Sequence, residues 1–213
     1  MKKAVIVGAV KGINLSFFDT EKDALFVCCD GGYNHFKKKG LIPDVFIGDL
    51  DSYESGDQTS KEKTIILNKE KDDTDSFYAV KFLLDSGYNH FSLYGCLGGE
   101  RLDMTIANLA VLDYLAERGY KAFAYDEKGE NVCFFLKNGS IEFKEDSKGR
   151  ISVFAWNQKA CGVTETGLKY TLGNQDLYPD VPFGVSNEFI GKKASVIVKE
   201  GTLLIMTDKE NLQ

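Results

Sequence analysis

Acidic residues follow an apolar run of the sequence at a spacing that can bind a cation. Asp49 and Asp51 come directly after residues 45–48 (VFIG). In an extended segment, residues two apart point to the same side, so the two carboxylates converge. Like charges this close raise each other's pKa and destabilise the fold unless a cation neutralises them. The pair therefore indicates a cation site, with helix capping as the structural alternative.

Three further apolar runs end in chemically active residues. The groups after these runs are Asp30-Gly31-Gly32, then Asp72, Asp73 and Asp75, then Gly98, Gly99, Arg101 and Asp103. Taken singly, each group has a structural explanation as a turn or as a helix cap. In an open α/β sheet, however, ligands bind outside the carboxyl ends of the strands. Four strand ends with acids at one edge favour a functional site.

These residue types fit a polyphosphate with Mg²⁺. Carboxylate and phosphate oxygens are the ligands that Mg²⁺ prefers, and with only two histidines in the chain a Zn²⁺ site is not expected. Glycine pairs allow backbone N–H groups to approach phosphate oxygens, and Arg101 can stabilise developing negative charge. Neither a P-loop nor a dinucleotide-binding glycine motif is present, and residues 7–14 (VGAVKGIN) are interpreted as a plain strand-to-helix turn. The residues thus predict Mg²⁺-dependent chemistry on a phosphate compound.

The elements that must position these residues are those of an α/β domain. About 125 residues alternate apolar runs with segments of helical period, which is typical of a mainly parallel sheet flanked by helices. Strands are predicted at residues 4–10, 24–30, 44–49, 64–68, 90–95 and 121–126. Helices are predicted at 74–86 and 103–118, each followed by a glycine (Gly87 and Gly119). Their expected buried faces carry Phe77, Val80 and Leu84 in the first and Ile106, Leu109, Leu112 and Ala116 in the second.

After about residue 128 the pattern changes to short β-rich segments separated by glycine or asparagine. Residues 196–206 (VIVKEGTLLIM) predict a hairpin that turns at Glu200-Gly201. We therefore expect a smaller all-β antiparallel sandwich domain over residues 128–213, behind an α/β domain over residues 1–127.

Composition limits the partners. The net charge is −6 with no basic block, so nucleic acid is not expected, whereas a cationic substrate would suit the acidic cleft. No apolar run approaches the roughly 18 residues of a membrane span. The first residues lack a signal-peptide cleavage site and predict a buried strand. Five cysteines without a C-x-x-C motif favour reduced thiols and a cytoplasmic location.

Six motifs, in order, resemble those of the thiamine pyrophosphokinase family. They are residues 30–32 (DGG), 43–52 (PDVFIGDLDS), 71–75 (KDDTD), 98–108 (GGERLDMTIAN), 166–170 (TGLKY) and 184–189 (GVSNEF). The resemblance implies transfer of the pyrophosphoryl group of ATP to the hydroxyl of thiamine, with release of AMP. It also implies a homodimer in which the α/β domain binds ATP and the β-sandwich helps to hold thiamine across the subunit interface.

The resemblance also implies roles for individual residues. The catalytic set is Asp49, Asp51, Asp72, Asp75 and Arg101, of which Asp49, Asp51 and Asp72 would bind Mg²⁺. ATP would contact Asp30, Gly31, Gly32, Ser52, Thr74, Gly98, Gly99, Asp103 and Asn108. Thiamine would contact Tyr170, Ser186 and Asn187, with its cationic ring suited to an aromatic face. Either Asp75 or Asp51 would accept the hydroxyl proton.

One motif departs from the family pattern. The family usually has Gly-Gly-Arg, one residue, then Asp-His, whereas here Glu100 precedes Arg101 and Met104 replaces the histidine. Either the loop bulges by one residue or Arg101 points elsewhere. Two other functions stay open from the residues: a Mg²⁺-dependent phosphohydrolase, and a thiamine or nucleotide binder without catalysis.

Overall fold

The computed structural model describes residues 1–48, 63–66 and 72–212 of the chain. The chain forms two compact units, Met1–Gly129 and Glu130–Gln213. In the described residues, no helix has both the length and the apolarity needed to cross a membrane.

The first unit is built on a parallel sheet in the order β6-β5-β1-β2-β3-β4, which confirms the predicted α/β class. All six predicted strands are present, and where the structure describes their ends these lie within three residues of the prediction. The strands are β1 (Lys3–Val7), β2 (Leu25–Cys29), β3 (Val45–Gly48), β4 (Lys63–Ile66), β5 (His90–Tyr94) and β6 (Lys121–Tyr125). The helices are α1 (Phe17–Thr20), α2 (Tyr33–Lys39), α3 (Asp75–Asp85) and α4 (Leu102–Glu117).

An aromatic stack is part of the core of this unit. The ring of Tyr94, at the end of β5, lies 4.1 Å from that of Phe17 and 4.4 Å from that of Tyr125, measured between centroids. Burial raises the pKa of the Tyr94 hydroxyl, so this group stays neutral. The strands β1 and β3 are almost entirely buried, as expected for a parallel sheet covered on both faces.

The two long helices begin and end within one residue of the predicted bounds, but their buried faces differ from the expectation. Leu109 and Leu112 are buried, whereas Ile106 is 56% exposed. The buried stripes instead include Ser76 and Asn108, joined by a hydrogen bond of 2.6 Å from Ser76 Oγ to Asn108 Oδ1. The spacing of apolar residues predicts that polar side chains such as these lie on the surface. Their mutual hydrogen bond, however, offsets most of the free-energy cost of burying them.

The buried face of α3 also differs from the predicted one. Its buried residues are Ser76, Ala79, Val80 and Leu83, so of the three predicted residues only Val80 is fully buried. Thr74 caps the helix by accepting a hydrogen bond from the Phe77 N–H at 3.3 Å. The helix is followed by Gly87 in the left-handed conformation, as predicted.

The second unit is antiparallel and all-β, which confirms the smaller β domain. Its strands run in the order β10-β8-β11-β7, and β9 pairs with β8. They are β7 (Asn131–Phe143), β8 (Arg150–Thr166), β9 (Leu172–Leu177), β10 (Gly184–Glu188) and β11 (Ala194–Asp208).

The hairpin predicted at Glu200-Gly201 is wrong. β11 continues through both residues, and only its pairing register shifts there. Gly201 has φ of +105° and its N–H donates to Asn138 Oδ1 at 2.8 Å. Because β7 and β8 pair with β11 on both sides, the glycine makes a bulge in a long strand rather than a chain reversal.

Candidate functional site

A cleft of about 610 Å³ lies at the carboxyl ends of β1, β2 and β5 in the first unit. This is the edge at which ligands bind in open α/β sheets. Seven residues predicted for the site from the sequence line the cleft. They are Asp30, Thr74, Asp75, Gly98, Gly99, Arg101 and Asn108.

Two carboxylates lie near the end of β2. Asp30 follows the last residue of β2 and Asp75 is the first residue of α3. Burial is the main cause that raises the pKa of the Cys28 and Cys29 thiols. The negative charges of Asp30 and Asp75 raise both pKa values further, which shows that the two carboxylates are close to these thiols. The cleft therefore contains at least two acids from different strand ends, as oxygen ligands for a cation require.

Asp30 has a backbone conformation that is uncommon for a side-chain-bearing residue, with φ of +41°. It opens a 3₁₀ turn, Asp30–Gly32, that runs directly into α2. A Cβ at Gly32 would lie 2.2 Å from the carbonyl oxygen of Val7, so only glycine allows the turn to approach β1 this closely. Strain of this kind at a strand end is common in functional sites.

The N–H groups of the second glycine pair are already hydrogen-bonded within the protein. Gly98 N–H donates to Thr105 Oγ1 at 3.0 Å, and Gly99 N–H donates to Glu127 Oε1 at 2.9 Å. A phosphate that bound to these amides would have to replace a hydroxyl and a carboxylate as their acceptors.

Arg101 lines the cleft and is held by Asp103 in a bidentate ion pair. The Arg101 Nε–Asp103 Oδ1 distance is 2.9 Å and the Nη2–Oδ2 distance is 2.6 Å. The guanidinium hydrogen bond lowers the pKa of Asp103 to about 2. Both side chains are exposed, so the pair is weak and Arg101 can exchange its carboxylate for an incoming phosphate. The inserted Glu100 is largely exposed, lies 4.0 Å from Lys11 between Oε1 and Nζ, and lines the cleft beside Arg101.

Asn108 fastens two walls of the cleft together. Its Oδ1 accepts from Ser76 on α3, and its Nδ2 donates to the carbonyl oxygen of Cys96 at 2.7 Å. Both polar ends of this side chain are thus used inside the protein, which makes Asn108 a positioning residue in this structure.

The sequence interpretation missed part of the cleft wall. Residues 8–11, interpreted as a plain turn, line the cleft, as do Cys29, Cys96 and Met104. A Cβ at Gly8 would lie 2.4 Å from the Gly95 carbonyl oxygen, so the loop after β1 packs directly on the loop after β5. The sequence feature that could have indicated this part of the wall is Gly8, immediately after an apolar strand. The glycines around it do not have the spacing of a known phosphate-binding motif.

The other residues predicted for this cleft form two groups. Asp49, Asp51 and Ser52 fall outside the described residues. Of the described ones, Gly31, Gly32, Asp72 and Asp103 are not part of the cleft lining. Asp72 is exposed just before α3, beside Asp73, which pairs with Lys81. Within the described ranges, no group of three or more His, Cys, Asp or Glu side chains is arranged to hold a metal ion.

The second unit contains a smaller pocket of about 290 Å³. Its lining is mostly apolar or aromatic, with two polar side chains: it consists of Tyr170, Leu172, Phe183, Gly184, Val185, Glu165 and Asn187. Tyr170 and Phe183 are 62% and 59% exposed, so two large aromatic rings of the lining are accessible to solvent. The predicted Ser186 is exposed on a bulge of β10 with φ of +59°, and is not in the lining.

Asn187 organises this pocket and is 4% exposed. Its Oδ1 accepts from the Tyr170 N–H at 3.0 Å and the Glu188 N–H at 2.9 Å. Its Nδ2 donates to the Tyr170 carbonyl oxygen at 2.7 Å and to Glu165 Oε2 at 2.9 Å. Asn187 therefore positions Tyr170 and Glu165, and sequence reasoning missed Glu165.

Two domain models of one family match the chain. The thiamin pyrophosphokinase catalytic domain matches residues 20–124, and the thiamin pyrophosphokinase vitamin B1 binding domain matches residues 140–203. The chain belongs to the thiamin pyrophosphokinase family.

Individual members of the family agree with this assignment. The chain is 26% identical to a thiamine pyrophosphokinase of Bacillus subtilis over 191 residues, 88% of each protein. It is similar in fold to a crystal structure of thiamine pyrophosphokinase from Bacillus subtilis, with TM-score 0.85, 22% identity, and coverage of 98% of this chain and 99% of the other. A thiamin pyrophosphokinase structure from Geobacillus thermodenitrificans gives TM-score 0.78 at 22% identity, covering 99% of this chain and all of the other.

Each of the two family matches contains most or all of one of the two cavities. The catalytic-domain match contains most of the cleft lining, from Cys29 to Asn108, although residues 8–11 precede it. The vitamin B1 match contains every residue that lines the smaller pocket. Each thiamin pyrophosphokinase domain thus contributes one cavity of its own.

Proposed function

We propose that this chain transfers the pyrophosphoryl group of ATP to the hydroxyl of thiamine, giving thiamine diphosphate and AMP. The observation that carries this proposal is the pairing of sites with domains. An acid-lined cleft with an arginine lies in the catalytic-domain match, and an aromatic pocket with a buried carboxyl group lies in the vitamin B1 match.

ATP is assigned to the cleft of the first unit. Arg101 would leave Asp103 and bind phosphate oxygens, because a guanidinium forms the same bidentate pattern with either partner. Asn108 and Thr74 keep the walls in place, through the Asn108 bonds to Ser76 and Cys96 and through the Thr74 cap of α3. Positioning and charge neutralisation are the main requirements of phosphoryl-type transfer.

Mg²⁺ is the cofactor that the donor set of the cleft fits. Asp30 and Asp75 present carboxylate oxygens at the end of β2, the ligand type that Mg²⁺ prefers. From the sequence motifs, we infer that Asp49, Asp51 and Asp72 are further ligands of this ion. The ion would neutralise charge on the ATP phosphates.

The transfer itself needs one proton acceptor. The thiamine hydroxyl oxygen forms a bond to the β-phosphorus of ATP while the bond from that phosphorus to the α–β bridging oxygen breaks, and AMP leaves with the bridging oxygen. The hydroxyl proton passes to a carboxylate, for which Asp75 and Asp51 are the candidates. Asp75 lines the cleft at the first turn of α3, which is consistent with this role.

Thiamine is assigned to the pocket of the second unit. Tyr170 is 62% exposed, and its ring already has a cation, Lys169 Nζ, 5.6 Å from its centroid, so it suits a cationic heteroaromatic ring. Asn187 holds the Tyr170 backbone through two hydrogen bonds, so the ring is carried on a fixed segment. Ser186, on the neighbouring bulge, is proposed as an additional contact.

We also infer a homodimer and a cytoplasmic location. The second unit exposes large apolar side chains between residues 170 and 190, and such surfaces commonly mark interfaces. They are Tyr170, Tyr178, Val181, Phe183, Val185 and Ile190. All five cysteines are free thiols, as in a reducing compartment. Sedimentation velocity on the purified chain, with Val181→Ser as the comparison, tests the dimer.

Product analysis tests the proposed reaction. The chain is incubated with ATP, Mg²⁺ and thiamine, and AMP and thiamine diphosphate are quantified by chromatography. Equal amounts of both products are expected. Phosphate release without thiamine would point to a hydrolase, and thiamine binding without any product would point to a binding protein.

Matched variants test the acids. Asp49→Asn, Asp51→Asn and Asp75→Asn are each expected to lower turnover by at least about 100-fold, the lower range for an acid–base or charge-stabilising group. Asp85→Asn, at the exposed end of α3, is the control and should keep full turnover. Near-normal turnover in all three aspartate variants would overturn the roles assigned to these acids.

A further inference from the structure

The side chain of Glu165, near the end of β8, is 1% exposed and yet lines the pocket of the second unit. Its Oε2 accepts the hydrogen bond from Asn187 Nδ2. Its Oε1 is buried and has no hydrogen-bond partner in the described part of the chain. A buried carboxyl oxygen without a partner is costly, so its retention in a pocket calls for a ligand that completes the bond.

The orientation of Asn187 decides which oxygen of Glu165 is available. Two backbone N–H groups, those of Tyr170 and Glu188, point at Asn187 Oδ1. The amide therefore cannot be reversed, and its NH₂ group must face Glu165. Because Oε2 is held as an acceptor, a proton on the carboxyl group sits on Oε1, the oxygen that is left for a ligand.

The surroundings of Glu165 favour the protonated carboxyl group. Burial raises its pKa, and the hydrogen bond from Asn187 is the opposing effect. Glu165 has no ion pair among the described residues. A neutral carboxyl group in this place is a hydrogen-bond donor directed at the ligand.

The acceptors on thiamine that suit this donor are the ring nitrogens of its aminopyrimidine. The thiazolium nitrogen is quaternary and cannot accept a hydrogen bond, whereas the aminopyrimidine ring has two nitrogen atoms with free lone pairs. The remaining lining, with Tyr170, Phe183 and Leu172, suits the faces of a flat ring.

We propose that Glu165 Oε1 donates a hydrogen bond to a ring nitrogen of the thiamine aminopyrimidine, and that this bond makes Glu165 a specificity-determining residue. The proposal rests on thiamine as the substrate. Sites built to hydrogen-bond a substrate group reject analogues that lack it, because their own buried group is then left without a partner.

The test combines two changes, one in the protein and one in the ligand. Dissociation constants are measured by calorimetry on the full chain for thiamine and for its two analogues in which one pyrimidine ring nitrogen is replaced by CH. For the unmodified protein, one of the analogues should bind about 10- to 100-fold more weakly than thiamine, the range for a hydrogen bond to a buried polar group.

The variants separate recognition from folding. In Glu165→Met, thiamine and both analogues should bind with the same affinity, a result that general damage to the pocket would not produce. Glu165→Gln keeps an acceptor for Asn187 and an N–H donor toward the pocket, so it should bind thiamine within about fivefold of the unmodified protein. Glu142→Gln, an exposed glutamate paired with Lys193 in the same unit, is the matched control and should change nothing.

Three results would overturn the proposal: equal binding of both analogues and thiamine to the unmodified protein, discrimination that persists in Glu165→Met, or a loss in Glu165→Gln as large as in Glu165→Met. Product formation is measured in parallel. A chain that binds thiamine with this selectivity but makes no thiamine diphosphate would refute the proposed reaction alone, and a chain that makes it without the selectivity would refute the role of Glu165 alone.

Discussion

Replacing Asn187 by alanine should strongly destabilise the second unit. The side chain is buried and makes four hydrogen bonds, two to Tyr170, one to Glu165 and one to Glu188. A typical net contribution is about 0.5–1.5 kcal/mol per bond, so Asn187→Ala should lower the free energy of unfolding by about 4 kcal/mol. Asn187→Asp keeps the volume and both accepted bonds but sets a carboxylate oxygen against two acceptors, so a comparable loss is expected.

The only tryptophan of the chain provides the assay. Trp156 lies on β8 and packs on Phe135 with 5.2 Å between ring centroids, so its fluorescence reports on the second unit. With a urea slope of about 1–3 kcal/mol/M, a loss of 4 kcal/mol lowers the midpoint by more than about 1 M. Gln175→Ala, on the exposed side of β9, is the control and should shift the free energy by less than about 0.5 kcal/mol.

Two outcomes would refute this reasoning. If Asn187→Ala unfolds at the same urea concentration as Gln175→Ala, the four bonds do not contribute to stability. If Asn187→Asp is as stable as the unmodified protein, the bonds donated by Nδ2 carry no net energy, and the amide does not hold Glu165 in place.

Three other predictions concern single residues. Gly32→Ala should destabilise the first unit by about 2 kcal/mol or more, because its Cβ would lie 2.2 Å from a β1 carbonyl oxygen. Thermal melting should show this loss. Gly173→Ala is the control and should melt unchanged, because a Cβ there meets nothing within 4 Å. Arg101→Ala should raise the pKa of Asp103 from about 2 toward the ordinary value near 3.9, as measured by carboxyl NMR titration. The pKa of Glu165 is raised in the folded state, so this carboxyl group holds its proton to higher pH in the folded protein than in the unfolded chain. The stability that this proton contributes is therefore lost as the pH rises above the ordinary glutamate pKa of about 4.3. Urea unfolding from pH 4 to pH 8 should therefore show a smaller decline for Glu165→Gln than for the unmodified protein.

Each of these has a result that contradicts it. A Gly32→Ala chain with unchanged melting would mean that β1 and the 3₁₀ turn separate at no cost. An unchanged Asp103 titration in Arg101→Ala would mean that the ion pair does not form in solution. Parallel pH profiles for Glu165→Gln and the unmodified protein would mean that burial of this carboxyl group does not perturb its ionisation.

The strands of the first unit were predictable because both faces of a parallel sheet are covered, which leaves continuous apolar runs in the sequence. The helix ends were predictable from Thr74, Gly87 and Gly119, whose local preferences do not depend on distant contacts. The buried faces of the helices were not, because the inward positions of Ser76 and Asn108 depend on the hydrogen bond between residues 32 apart.

Some residues of the cleft could be predicted from the sequence and others could not. The acids of the cleft could be found from the sequence, because strand ends deliver them to one edge in any parallel sheet, and Asp30 and Asp75 do line it. The loop of residues 8–11 could not, because its role follows from the contact of Gly8 with Gly95. Gly201 was misread for a related reason, since a glycine in a β-rich segment turns the chain or makes a bulge according to the strands that pair beside it.

By itself, the sequence determined the fold class, the order of the elements and the acidic character of the cleft, because these depend on local preference, hydrophobic period and residue type. Only the tertiary structure decided which hydrogen bonds each polar group makes. It placed Glu165 in the pocket, turned the Asn187 amide toward it, and paired Arg101 with Asp103. The physical reason is that the state of a buried polar group depends on partners brought from distant parts of the chain, which no local pattern specifies.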